Sequence, residues 1–245
     1  PYRSRQVGTC SPVGRLGGPG YWTLEEKSMR RSVLLGAGAA AVVGVTTAGR
    51  WTHRWQRRWG ATDAEADAEL PGDELTARPT EQSTRAITID APPEKVWPWL
   101  TQLGADRAGF YSSDWLENLF GLDIHNADTI VPGWQRLEVG DMVWAAGSRT
   151  GGWVVELIVP NRALVMKVAD VDTRRAVTRH DGIGFEFQWT FALRERPGGG
   201  TRLIVRERVA YGRLLTRWLM APVGPISFVM TRKTLLGVRR RVEGA

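Results

Sequence analysis

Between residues 185 and 193 apolar side chains take every odd position, Phe185, Phe187, Trp189, Phe191 and Leu193, while Glu186, Gln188 and Thr190 alternate with them. Successive residues of a strand point to opposite faces, so this spacing predicts a strand with one oily, aromatic face and one wet face. Weaker two-residue periods predict further strands at 85–91, 142–146, 153–159, 164–169 and 203–209. Several are separated by turn signals such as Pro197-Gly198-Gly199-Gly200 and Pro160-Asn161. Short connections of this kind join antiparallel neighbours. The period lengthens to that of a helix at 93–103, where Val96, Leu100 and Leu103 form a stripe that opens behind Pro92-Pro93 and stops at Gly104; Pro98 should kink it. A short helix is expected at 114–120. A long one is expected at 226–241 after the break Pro222-Val223-Gly224-Pro225, with Ile226, Val229 and Met230 on one face.

An antiparallel sheet with one greasy face needs a cover over it. The candidates are the helix at 93–103 and the C-terminal region carrying Leu214, Leu215, Trp218 and Leu219. The order is therefore strand, two helices, a meander of strands, then a long helix, an α+β arrangement.

Upstream the pattern changes. Residues 32–49, SVLLGAGAAAVVGVTTAG, carry no charge, and as a helix they would extend about 27 Å, enough to match a bilayer's hydrocarbon thickness. Arg30 and Arg31 precede the run, Arg50, Arg54, Arg57 and Arg58 follow it, and Trp22, Trp51, Trp55 and Trp59 stand where an aromatic belt would anchor it. One N-terminal membrane span is the expectation. The alternative is the hydrophobic region of an export signal, since SMRRSVLL at 28–35 looks like a loose twin-arginine sequence. Gly36, Gly38 and Ala41 match a dinucleotide-binding fingerprint on paper, but no second strand follows in the place a βαβ unit requires. In a bilayer, Gly36, Ala40 and Gly44 form a small-residue stripe that would let two spans pair as a homodimer; Gly and Ala are also simply common in spans.

Residues 1–31 thus form a basic N-terminal segment, 32–49 the span or signal core, 50–82 a basic, Trp-rich juxtamembrane stretch running into an acidic linker, and 83–243 one globular domain. The linker reading rests on 60–82, which is acidic, small and broken by Pro and Gly. Charge follows the same division. The formal net charge of the 245 residues is +7, yet residues 60–210 hold sixteen Lys/Arg against twenty-three acids, and the excess of base lies at both ends. An acidic body with basic ends fits a membrane surface and not a nucleic-acid face, for which no recognised motif is present. With one cysteine, Cys10, neither a disulfide framework nor a Cys-based zinc cluster can form.

The opening STRAITIDAPPEKVWPWL, the closing FVMTRKTLLGVRRRVE, and the segment GFYSSDWLENLFGLDIHNADTIVPGWQRLEVGD between them make residues 83–243 resemble the START-like, or SRPBCC, superfamily, and within it a bacterial, mostly uncharacterised subgroup. The resemblance implies a helix-grip fold, a curved antiparallel sheet wrapped around a long C-terminal helix with an apolar pocket between them. It also implies binding of lipids or other hydrophobic molecules, or chemistry of the polyketide cyclase/aromatase kind. It carries no catalytic motif, so no residue inherits a role from it.

The residues themselves supply candidates. For general acid/base chemistry at a pocket mouth these are His125 and Tyr111, with Glu117 to tune them; the competing reading is that His125 and Tyr111 hold their segment by hydrogen bonds. Trp144, Trp153, Phe187, Trp189 and Trp115 either line a ligand pocket or fill the core. Asp114 and Asp128 are explained as a helix cap and a turn acid, so no metal site is expected, and no cofactor is called for. The expected function is a membrane-tethered binding protein for a hydrophobic small molecule or lipid, with a cyclase-type enzyme as the alternative.

Overall fold

The alternating stretch forms β5 (Phe185–Glu195), and a glycine turn returns the chain as β6 (Thr201–Tyr211). Gly198 and Gly199 there have φ of 96° and 92°, values that a side chain would resist, and the Arg196 N–H closes the turn on the Gly200 carbonyl at 2.7 Å. The computed structural model describes residues 52–112, 124–182 and 184–244. The chain divides into two units, Pro1–Trp51 and Thr52–Ala245, and every described residue belongs to the second. The run at 32–49 and the helix expected at 114–120 lie outside the described residues. No described helix is long and apolar enough to cross a membrane.

Around the β5–β6 hairpin stand β1 (Glu81–Ile89), β2 (Met142–Trp144), β3 (Gly152–Val159) and β4 (Ala163–Val168). They make one antiparallel six-stranded sheet in the order β1-β6-β5-β4-β3-β2. All strands expected from the two-residue period are present. Register fixes which side chains share a face. Phe187 stands opposite Val209, Trp189 opposite Glu207 and Phe191 opposite Val205 on β6; Glu207 and Val205 in turn face Ser83 and Arg85 on β1. The odd residues of β5 therefore define an inner face that continues across the whole sheet.

That face is gripped by α2 (Pro93–Thr101) and by the 21-residue C-terminal helix α4 (Val223–Glu243). Val96, Trp99 and Leu100 of α2 and Leu235, Val238 and Val242 of α4 join Ile87, Ile89, Leu164, Met166, Phe191, Leu203 and Val205 in a single core. This is the helix-grip arrangement in an α+β fold. Helix α2 continues past Pro98 for three residues and ends at Thr101, two short of the expected stop. Helix α4 passes close to Tyr111 at Gly237, where a Cβ would lie 2.2 Å from the Tyr111 carbonyl oxygen. Gly237→Ala should therefore cost about 1–3 kcal/mol despite alanine's better helix propensity, read as a lower midpoint in thermal unfolding.

Two expectations are corrected. Residues 60–82 are not a free linker. A capping box, with Thr62 Oγ1 accepting from Glu65 N–H and the Glu65 carboxylate accepting from Thr62 N–H, starts the short helix α1 (Asp63–Asp67), and a 3-10 turn follows at Asp73–Thr76. This segment lies on the outer face of the sheet. Fully buried Arg206 reaches it, its guanidinium donating to the carbonyls of Glu65, Ala66 and Ala68 and to Asp73. Gln188 donates to Gly72 O, Lys167 to Leu75 O and Glu186, and Leu70 packs on Ala86, Ala192 and Ile204. Composition hid this because the partners are mostly backbone carbonyls, which every sequence carries.

The second correction concerns the cover. Leu214, Leu215, Trp218 and Leu219 form α3 (Leu214–Met220), and all four are exposed; Ile226 and Val229 of α4 are exposed as well. Helix α4 begins at Val223, three residues earlier than expected, and buries the stripe Phe228, Thr231, Leu235, Val238 and Val242 instead.

Candidate functional site

The inner face is filled along its middle. Trp189 packs against Phe191 (ring centroids 4.8 Å apart), Trp153 (5.5 Å) and Phe110 (6.1 Å), and Phe110 meets Trp153 edge to face at 5.8 Å. These rings pack on one another as part of the core. Toward the other end of the sheet, where β5 begins and β6 ends, the packing opens into a cleft of about 350 Å³. Its walls are Phe185, Phe187, Val209 and Tyr211 from the sheet and Met220, Val223 and Pro225 from the α3–α4 junction; His53, Gln56 and Arg57 of the helical residues 52–57 close a side.

The cleft also borders a buried polar group. Glu207 and Arg85 are both nearly inaccessible, and Arg85 Nη1 lies 2.9 Å from Glu207 Oε2. Ser83 and Ser227 hydroxyls donate to Glu207 Oε2 at 3.0 and 2.7 Å, and the Thr231 hydroxyl donates to Oε1. Arg85 Nε donates to Gln56 O at 2.9 Å, and its guanidinium lies 5.6 Å from the centre of the Phe228 ring. Burial alone would raise the Glu207 pKa. The charge of Arg85 and the hydroxyl donors outweigh it and hold the carboxyl below its ordinary range, so it stays ionised at neutral pH. Arg85 Nη1 is at ion-pair distance but out of hydrogen-bond alignment. The cleft thus combines aromatic walls with a buried ion pair at its border.

Of the residues singled out from sequence, the cleft contains Phe187. Trp153 and Trp189 belong to the ring cluster beside it. Trp144 lies on the opposite side of the sheet with Met142, Val154 and Ala169. Tyr111 is buried, its φ is 56°, its ring is edge-to-face with Trp99 at 5.7 Å, and its hydroxyl donates to the Trp99 carbonyl at 2.9 Å. Burial pushes its pKa up, against a hydrogen bond with Gln102 and the charge of Arg241, whose guanidinium lies 4.8 Å from the ring centre. The phenol therefore remains a protonated donor tied to the backbone. His125 is exposed, and neither it nor Tyr111 lines the cleft. Glu117 and Trp115 lie outside the described residues. Among the described residues no three His, Cys, Asp or Glu side chains could hold a metal ion together.

Sequence reasoning passed over Arg85, Glu207, Ser83, Ser227 and Thr231. A signal for the first three was present. Along β6 the inward positions read Leu203, Val205, Glu207, Val209, and along β1 Ser83, Arg85, Ile87, Ile89. A polar residue on an otherwise apolar face is the mark of a buried, partnered group.

The sheet, its register and the gripping helix define a helix-grip α+β domain with a cleft at one end. No family model and no curated protein matches the chain. Solved structures do. A Mesorhizobium loti protein is similar at 20% identity, covering 65% of this chain and 98% of its own, with a TM-score of 0.37. A hypothetical protein of Helicobacter pylori is similar at 10% identity over 73% of this chain and 97% of its own, with a TM-score of 0.44. CalU16 of Micromonospora echinospora is similar at 15% identity over 66% and 84%, with a TM-score of 0.31.

Proposed function

We propose that this protein binds a hydrophobic small molecule or lipid in the cleft between the open end of the sheet and the start of α4, and that residues 32–49 tether it to a membrane. The observation that carries the binding reading is the cleft itself: about 350 Å³ with aromatic and aliphatic walls over a buried charge pair. Small-molecule sites commonly enclose about 300–1,000 Å³, are mostly apolar, and hold a few placed polar groups that orient the ligand. An amphiphile suits it, with its apolar part against Phe185, Phe187, Val209 and Tyr211 and its polar end toward the side closed by His53, Gln56 and Arg57. The tether reading is supported by the uncharged run and its arginine and tryptophan flanks.

Val209 is half-buried and lines the cleft, so Val209→Trp fills it while leaving Arg85 and Glu207 unsubstituted. Titration with a pyrene-labelled fatty acid should show binding weakened at least about tenfold in this variant, equivalent to ~1.4 kcal/mol. Leu215→Ser, on the exposed face of α3, should leave that affinity unchanged. Equal affinity of Val209→Trp and the parent chain would remove the cleft as the ligand's seat. Native mass spectrometry of the purified chain supplies the complementary reading, a bound mass that leaves unchanged on denaturation.

A further inference from the structure

Seven of the eleven large apolar side chains that are exposed among the described residues fall between positions 214 and 229: Leu214, Leu215, Trp218, Leu219, Val223, Ile226 and Val229. Isolated exposed leucines need no explanation, but a concentration of this kind marks a surface made to meet another apolar phase. On α3 the apolar residues recur at i, i+1, i+4 and i+5, one face of a helix, and Leu214 and Trp218 are each 77% exposed. Residues 212–233 hold Arg213, Arg217, Arg232 and Lys233 and no acid. Met220 and Val223, inside this stretch, line the cleft, so the apolar surface borders the cleft mouth.

We propose that α3 and the first two turns of α4 form an interfacial docking surface for an anionic lipid bilayer, which places the cleft mouth against the lipid. Helices that lie in the headgroup region combine leucine and tryptophan on one side with basic residues and little or no acid. The four cations without an acid between them match anionic headgroups. Arg217 is half-exposed and 3.5 Å from Glu81; Arg232 lies over the Trp59 ring at 5.1 Å. Chain length supports the same occupant. Only Arg50 and Trp51 separate Gly49 from Thr52, so a bilayer that holds the run at 32–49 lies within about 11 Å of Thr52, the first described residue. His53, Gln56 and Arg57, which follow directly, line the same cleft. This inference rests on the tether reading for its nearness to the membrane, and not on what the cleft binds.

The test uses the full chain with Cys10→Ser and a single new cysteine, Leu215→Cys, carrying an environment-sensitive fluorophore, in vesicles of phosphatidylcholine and phosphatidylglycerol. A second label at Val139→Cys, exposed just before the β2 edge of the sheet, serves as reference. Bromine-labelled acyl chains should quench roughly half or more of the Leu215→Cys emission and little of the Val139→Cys emission, as expected for a side chain seated at the acyl boundary. Arg213→Glu, or phosphatidylcholine alone, should reduce the quenching, since each cation near an anionic surface is worth about fivefold in binding. No quenching at Leu215→Cys, or equal quenching at both labels, overturns the docking surface. So does a blue shift that grows with protein concentration without bromine quenching, which would assign the surface to a second copy. The fatty-acid titration with Val209→Trp is unaffected by these outcomes, so the failure of docking and the failure of ligand binding remain distinguishable.

Discussion

Glu207→Ala is expected to lower the stability of the fold by about 3–5 kcal/mol, because it leaves the Arg85 guanidinium buried without its counter-charge. Arg85 is 3% exposed, and its remaining protein acceptor is the Gln56 carbonyl. The hydroxyls of Ser83, Ser227 and Thr231 lose their common acceptor in the same step. Two of these, Ser227 and Thr231, are on α4, so the helix loses its polar clasp on the sheet next to the cleft. Denaturant unfolding reads the loss as a lower midpoint; a midpoint within ~0.5 kcal/mol of the parent would mean that the pair contributes little.

The same carboxylate sets a pH dependence. Its folded pKa lies below the ordinary value of 4.5, so the stability it contributes is complete above that value and is lost as pH falls through the depressed folded value. The parent chain should therefore lose stability progressively on acidification below about pH 4.5, and the gap between it and Glu207→Gln should narrow over the same interval. A gap that stays constant down to acid unfolding would contradict the ionised state of Glu207.

The second large effect is expected on the outer face. Arg206 is 1% exposed and donates to Thr84 Oγ1, to the Asp73 carboxylate and to three carbonyls of residues 65–68. Arg206→Ala takes this donor from all three carbonyls and leaves Ala66 O with the Gln82 amide, at about 1–3 kcal/mol for each carbonyl that then finds neither a donor nor water. The cheaper response is for residues 62–77 to peel away and hydrate, which caps the loss near the docking energy of the segment, about 3–5 kcal/mol. Limited proteolysis should then cut within 62–77 in the variant and not in the parent, while the six strands persist by circular dichroism. An intact segment in Arg206→Ala would show that its other contacts, among them Leu70, Gln188–Gly72, Lys167–Leu75, Arg202–Glu65, Arg208–Asp73 and Thr76–Glu186, hold it without Arg206.

How far each feature could be read from the sequence follows from how local its cause is. The strands at 142–144, 152–159, 163–168, 185–195 and 201–211 were legible because a half-buried strand must alternate. The inward face of α4 differs from the expected one by a rotation about the helix axis. Ile226 and Val229 are apolar, yet the helix rotates to bury Phe228, Thr231 and Leu235, because Thr231 and Ser227 must reach Glu207. The acidic stretch at 60–82 was read as solvated because its stabilising partners lie more than a hundred residues away on β5 and β6.

The site divides in the same way. Phe187 was found because its strand has a clear period. The assembly of Arg85, Glu207, Ser83, Ser227 and Thr231 needs β1, β6 and α4 brought side by side, and no window of sequence contains it. The amino-acid sequence by itself determined an α+β chain whose antiparallel strands carry one oily face, since periodicity and turn chemistry are local properties. Tertiary structure alone decided which part of that face is plugged by rings and which part stays open. It also decided which charges are buried in pairs and which apolar helix is left facing outward, because these depend on distances between residues far apart in the chain.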